Sequence, residues 1–284
     1  MSRIVSINGS LKTPENAVVS VYDRGFLYGD SVFETIRTYR GRAFALEEHL
    51  LRLERSAAAV AISMPIDRHA FALEIEQAIT AAANSESYAR AMLTRGAGPL
   101  GLDPNQAIEP LRVIFVEPLV PLAEAMYRDG VSVITFRTER AGDAAHGAKV
   151  GNYLASLLAL KAAKSKGAHE ALIVDVQGRV LEGTTSNVFL IRGDVLVTPP
   201  EEAGILAGIT RAHVLALAPS AGLKLELQTI TKADLTNADE VFISSSLREI
   251  LPVVAVDGAS IGNGNPGPKT RALHAAFRAL TQSV

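Results

Sequence analysis

The stretch ALIVDVQGRVLEGTTSNVFLIRGDVLVT, residues 171–198, decides the fold. Its first part, ALIVDVQGRVLEG, reads as a strand, a tight turn and a second strand, and SNVFLIRGDVLVT repeats the arrangement. Short β-branched runs broken by Gly-containing turns are the mark of hairpins. Working outward, VSVITF upstream is a further strand, and residues 153–166 form an Ala- and Leu-rich helix stopped by Gly167. Downstream come a helix over residues 210–217, the strand EVFISS, short strands around VVAVDG and a final helix from Lys269. Many short antiparallel strands with few helices predict a barrel-like domain.

The first part of the chain has a different pattern. RIVSING, AVVSVYD and VFETIRTY read as strands, and TYRGRAF as a hairpin whose turn includes Gly41. Residues 46–62 put Leu46, Leu50, Leu53 and Ala57 on one helical stripe, and Asp67 caps a second helix running to about Ala83. Two strands follow, YARAMLTRG and LRVIFVEP, around the loop GAGPLGLDPNQ. The two prolines of EPLVPL mark a boundary, since neither can continue a helix. The expected class is therefore α+β in two domains. A small domain with an antiparallel sheet spans 1–116, a linker 117–122, and a larger pseudo-barrel domain 123–284.

Composition narrows the function. The 284 residues are 48% hydrophobic and 20% charged, enough apolar side chains for two cores. With 28 basic against 30 acidic side chains, the net charge of -2 offers no field for a nucleic-acid backbone or an anionic membrane. The absence of cysteine excludes disulfides, thiolate metal sites and a cysteine nucleophile. The start lacks a secretory pattern and no apolar run is long enough to cross a bilayer, so a soluble cytoplasmic protein is expected. The six histidines lack metal-ligand spacing. GNGNPGPKT fails the P-loop spacing because a proline separates Gly267 from Lys269, and no GxSxG elbow is present.

Three segments carry chemistry. Lys149, in HGAKVGNYLASLL, sits in a small-residue run ahead of an apolar helix. The ordinary reading is a solvated surface charge. The functional one is an amine held among apolar neighbours and able to attack a carbonyl, such as an aldehyde cofactor. Glu182, in EGTTSNVFL, is either a turn carboxylate or a partner that keeps a pyridine nitrogen protonated. LAGITRAHV opens a helix with Ile209 and Thr210, an arrangement suited to a phosphate.

In this order the three segments resemble the class IV aminotransferases, the fold type IV enzymes that use pyridoxal 5'-phosphate (PLP). The similarity is carried by EGTTSNVF at residues 182–189, LVT at 196–198 and LAGITR at 206–211. It extends from DRGFLYGDSVFETIR to SSSLREILPVVAVDG, nearly the whole chain. The resemblance implies that Lys149 forms the internal aldimine, that Glu182 faces the pyridine nitrogen and that Tyr153 bonds the ring hydroxyl oxygen. It implies further that Arg52, in HLLRL, grips the phosphate with Ile209, Thr210 and Ser246. Arginine suits a phosphate because its planar fork donates two hydrogen bonds at once. The implied reaction is a ping-pong transamination between an amino acid and a keto acid, in a homodimer.

For the substrate, Tyr88 and Arg90 in SESYARAMLTRG resemble the Tyr-x-Arg pair of the branched-chain L-amino acid enzymes. There the pair holds the α-carboxylate and the distal carboxylate of glutamate or 2-oxoglutarate. Residues two apart on a strand share a face, so both can line one pocket. YGDSVFE supplies Tyr28 and Phe33 as apolar walls in the same resemblance. Ser245-Ser246-Leu247 departs from the Gly-Thr-Ala of the branched-chain group toward the Ser-Ser-Thr of the D-amino acid enzymes, and an inward Leu247 would narrow the pocket. The branched-chain reading comes first, a D-amino acid aminotransferase second and aminodeoxychorismate lyase third. An inactive PLP-binding relative is the alternative that is not an enzyme.

Overall fold

A computed structural model describes residues 2–138 and 147–282 of the chain. Packing divides them into two units, the first comprising the described residues up to Val120 together with 147–153, the second the remainder from Pro121 onward. The segment with Lys149 thus groups with the first unit, although it lies beyond the Pro-rich stretch in sequence.

The first unit contains β1 (Ile4–Ile7), β2 (Ser10–Lys12), α1 (Arg24–Tyr28), β3 (Ser31–Tyr39), β4 (Arg42–Ala43), α2 (Leu46–Ala59), α3 (Arg68–Ala82), β5 (Ser87–Thr94) and β6 (Leu111–Pro118). Its sheet is antiparallel throughout, in the order β2-β1-β6-β5-β3-β4. The stripe Leu50, Leu53 and Ala57 of α2 and Phe71, Ile75 and Ala78 of α3 bury against Val32, Ile36, Ala89 and Ala91 of the sheet. Alternation then puts Phe33, Thr35, Tyr88 and Arg90 on the opposite face, where Phe33 pairs with Met92 and Thr35 with Arg90.

Local signals explain the ends. Asp67 caps α3 by accepting the Ala70 N–H at 2.8 Å. Arg40 and Gly41 both take positive φ, 51° and 79°, as a two-residue hairpin turn with the strands' own twist requires. The expected helix over 46–62 stops at Ala59, where Ile62 N–H returns to Ala57 C=O at 2.8 Å around Ala61 at φ 52°. AVVSVYD is not a strand. Val18 is 77% exposed with no neighbouring strand among the described residues, and Asp23 instead accepts the Gly25 N–H at 2.8 Å to start α1. Alternation alone did not reveal that the β-pairing of this run among the described residues is confined to its end, Asp23 opposite Ala97.

The second unit contains α4 (Glu124–Asp129), β7 (Val131–Arg137), α5 (Leu154–Ser165), β8 (Glu170–Val174), β9 (Arg179–Gly183), β10 (Asn187–Arg192), β11 (Val195–Thr198) and α6 (Ile209–Leu217). After these come β12 (Lys224–Leu227), β13 (Ile230–Thr231), α7 (Lys232–Thr236), β14 (Glu240–Ser245), β15 (Glu249–Val256), β16 (Ala259–Ser260) and α8 (Pro268–Thr281). The strands form one curled half-barrel sheet in the order β12-β11-β10-β14-β15-β7-β8-β9-β13, with β16 beside β15. Val188, Leu190, Ile243 and Leu251 lie in its core, while Ala159 and Ala163 of α5 pack with Ile134 and Ile173. The α+β class in two parts holds, but this sheet is not antiparallel throughout. β7 runs parallel to both β8 and β15, and β11 to β12. Parallel neighbours need long crossovers, and α5 and α6 lie in the connections β7 to β8 and β11 to β12.

Candidate active site

In the first unit the backbone around Lys149 is bound to the start of β3. Phe33 N–H donates to Lys149 C=O at 3.0 Å and Gly151 N–H to Ser31 C=O at 2.7 Å, while Lys149 N–H donates to Ser56 Oγ at 3.1 Å. Gly151 is needed for this approach, since a Cβ there would lie 2.1 Å from Ser31 Oγ. The chain is thereby fixed on both sides of the lysine. Its Nζ donates to the Tyr153 hydroxyl at 3.3 Å and lies 4.6 Å from the centre of the buried Phe33 ring. The Phe33 and Tyr153 rings stand 5.3 Å apart, and the Arg90 guanidinium lies 3.8 Å over Phe33. Lys149, Tyr153, Phe33 and Arg90 therefore form one cluster. Arg90 Nε is buried with no hydrogen-bond partner among the described residues.

Arg52 belongs to a second, buried cluster. α2 turns His49, Arg52 and Ser56 inward at spacings of three and four, beside its apolar stripe. Arg52 donates to both oxygens of Glu34, Nε at 2.7 Å and Nη2 at 2.5 Å, and the His49 ring lies 2.7 Å from the same acid through Nδ1. Burial pushes the Glu34 acid up, but hydrogen bonds and charge from Arg52 and His49 outweigh it and hold the carboxyl at about 2. Burial lowers His49, so it stands as a neutral ring whose Nδ1–H donates to the carboxylate. Sequence reading found Arg52 but missed Glu34, His49 and Ser56. The signal available was the row of polar residues in HLLRLERS flanking an apolar stripe.

In the second unit, Glu182 Oε2 accepts the Leu206 N–H at 2.9 Å, and Asn187 Nδ2 donates to the Leu206 C=O at 2.9 Å. The two ends of EGTTSN thus hold the loop that leads into α6. Gly208, the N-cap of α6, offers no side chain to its first-turn N–H groups, and Ile209 and Thr210 begin the helix as buried residues. A Cβ on Gly208 would lie 1.9 Å from Asn187 Oδ1. An open helix N-terminus suits a phosphate. A carboxylate beside an open helix N-terminus is the kind of donor set that suits a protonated ring nitrogen and a phosphate. Ser246 and Leu247 lie in the connection from β14 to β15.

The remaining expected residues have other neighbours. Tyr88 shares the Arg90 face of β5 and pairs with Arg37 across the sheet. Tyr28 ends α1, with its hydroxyl accepting the Gly101 N–H at 3.0 Å and its ring 5.0 Å from the Arg24 guanidinium.

Residues 31–256 match the family described as Amino-transferase class IV. A relative from Methanocaldococcus jannaschii named "Putative branched-chain-amino-acid aminotransferase" is 38% identical over 96% of this chain and 95% of its own. A D-alanine aminotransferase from Bacillus licheniformis is 34% identical over 96% and 95%. The solved T.th. branched-chain amino acid aminotransferase with pyridoxamine 5'-phosphate superposes with a TM-score of 0.93, at 30% identity, over 100% of this chain and 95% of that one. The chain belongs to the class IV aminotransferases.

Proposed function

We propose that this aminotransferase moves the amino group of a branched-chain L-amino acid to 2-oxoglutarate in two ping-pong half-reactions, with PLP as cofactor. The observation that carries the substrate reading is Arg90: a buried Nε without a partner among the described residues, on a guanidinium stacked over Phe33, seats a carboxylate beside an apolar wall. Tyr88, on the same strand face, and Tyr28 extend that pocket. Aliphatic side chains are held by burial, which separates leucine from glutamate far better than leucine from isoleucine.

The bound cofactor supplies an aldehyde and an electron-withdrawing ring. Lys149 would hold the aldehyde end of the cofactor, and its free Nζ would take and return the substrate α-proton. Its anchored backbone keeps that atom in one place, and the Tyr153 hydroxyl, 3.3 Å away, orients it and holds the ring oxygen. Glu182 keeps a proton on the ring nitrogen. Arg52, Ile209, Thr210 and Ser246 bind the phosphate, and Leu247 borders the substrate.

The working form is a homodimer in the cytoplasm. Leu154, Leu157 and Leu158 stand more than half exposed together at the start of α5, a surface suited to a second copy. Light scattering on the purified protein tests this, and a monomer refutes it.

The function is tested with L-leucine, D-alanine, (R)-phenylethylamine and aminodeoxychorismate offered side by side to the PLP-loaded protein. L-Leucine should bleach its yellow colour and 2-oxoglutarate restore it. Response to D-alanine alone would replace this reading with the D-amino acid one. No response to any would leave a binding protein.

A further inference from the structure

Glu170 begins β8 with a side chain at 0% exposure, and none of the roles above uses it. Its Oε1 accepts from the Thr184 hydroxyl and the Thr185 N–H, both at 2.8 Å, and from the Thr185 hydroxyl at 3.3 Å. Its Oε2 accepts from Ser186 Oγ at 3.0 Å and from Arg248 Nη1 at 2.6 Å, while Arg248 Nη2 donates to Thr185 Oγ1 at 2.9 Å. The carboxylate also lies against the backbone next to Glu182, since a Cβ on Gly183 would come within 2.9 Å of Oε1. One acid therefore holds the turn behind Glu182 and, through Arg248, reaches the turn that contains Ser246 and Leu247.

That second turn is built to be held. β14 and β15 pair as far as Ser245 with Glu249, leaving residues 246–248 as a three-residue loop closed by Glu249 at φ 58°. A glutamate in the left-handed region persists only where its surroundings over-determine it. The buried Glu249 carboxylate accepts from Arg278 Nε and lies against His274 Nε2, each at 2.9 Å, and the Arg248 C=O accepts the Tyr127 hydroxyl at 3.1 Å. α4 and α8 thus fix the end of the loop, and β8 fixes it from the side through Arg248.

Buried ion pairs are weak devices for stability, and their better use is to specify one geometry. We propose that Glu170 is a positioning residue and Arg248 its relay, together setting the turn at residues 183–186 behind Glu182 for the cofactor ring nitrogen and the turn at 246–248 for the cofactor phosphate and the substrate. This rests on the roles given above to Glu182, Ser246 and Leu247. It adds two residues that touch neither ligand and act through those that do.

The test compares Glu170→Gln, Arg248→Met, Arg248→Lys and the Glu170→Gln/Arg248→Met double variant with the wild type. PLP affinity is read by titrating the apoprotein, and KM and kcat by steady-state assay. Glu170→Gln and Arg248→Met should each weaken PLP and raise KM roughly tenfold, as loss of supporting hydrogen bonds around a site does, with kcat changed much less. The double variant should be no worse than the poorer single one, and Arg248→Lys should recover most of the PLP affinity. Wild-type PLP affinity and KM in folded Glu170→Gln, or additive losses in the double variant, would overturn the proposal. If Glu170→Gln does not fold, Arg248→Met alone decides by the same readouts. Wild-type apoprotein that takes up no PLP sinks the functional reading as well, whereas normal uptake with unaffected variants sinks this inference alone.

Discussion

Glu34 accepts Nε and Nη2 of Arg52 on its two carboxylate oxygens, at 2.7 and 2.5 Å, with no exposure of the acid to solvent. The arrangement makes stability depend on pH in a definite direction. Held at about 2 against an ordinary 4.5, Glu34 stabilises the fold above pH 4.5, and that contribution is lost as pH falls toward 2. Its size is about 3 kcal/mol. His49 acts earlier: burial lowers it from 6.5, so below that pH the unfolded chain takes up a proton that the folded site refuses. Urea denaturation should therefore give constant stability above pH 7, a decline below about 6.5 and a steeper one below 4.5. Glu34→Gln should cost about 3–5 kcal/mol at neutral pH by leaving the Arg52 charge buried without its partner. A stability unchanged between pH 7 and 3 would contradict the assigned charges.

Lys149→Ala keeps the backbone bonds to Phe33 and Ser56, because these use only main-chain atoms of residue 149. The variant should fold normally and lose transamination by at least about 10,000-fold, the combined loss of nucleophile and proton carrier. Borohydride reduction of the wild type should place the adduct on the peptide with Lys149. An adduct on another lysine would move the centre of the reaction elsewhere.

Arg90→Ala addresses the two substrates separately. The guanidinium over Phe33 is assigned to the distal carboxylate of 2-oxoglutarate, so its loss should raise that KM by roughly 10- to 100-fold, as loss of a charged hydrogen bond does. The KM for L-leucine should move much less. Equal losses for both would assign Arg90 to the α-carboxylate or to the sheet.

Much of this was legible from local signals. Asp67 announced its helix, Arg40-Gly41 its hairpin, and the Tyr-x-Arg spacing put Tyr88 and Arg90 on one strand face. What stayed hidden depends on partners distant in sequence. Nothing local tells β7 to run parallel to β15, since strand direction is set by crossovers and not by alternation. Glu34 reads as an ordinary strand residue and Glu170 as the residue before a strand, and only the folded chain reveals the donors gathered around each acid. The run at 17–23 failed for the converse reason, offering strand-forming residues in a segment whose Val18, Val19 and Val21 stand exposed and which forms no described strand.

Gly208 separates steric need from conformational need. Its φ of -68° is open to any residue, so alanine would suffer from contacts alone, chiefly Asn187 Oδ1 at 1.9 Å and then Arg211 Cβ at 3.1 Å from the new Cβ. Asn187 cannot swing aside freely, because its Nδ2 holds the Leu206 C=O. Gly208→Ala should therefore shift the start of α6, costing about 1–3 kcal/mol and weakening PLP uptake by the apoprotein. Gly258→Ala is the control. At φ 84°, with nothing within 4 Å of the new Cβ, it pays only backbone strain, about 1 kcal/mol. Thermal melts should show both variants destabilised, while PLP titration should separate them, weak for Gly208→Ala and unchanged for Gly258→Ala. Equal PLP affinities would remove the α6 N-terminus from the phosphate site.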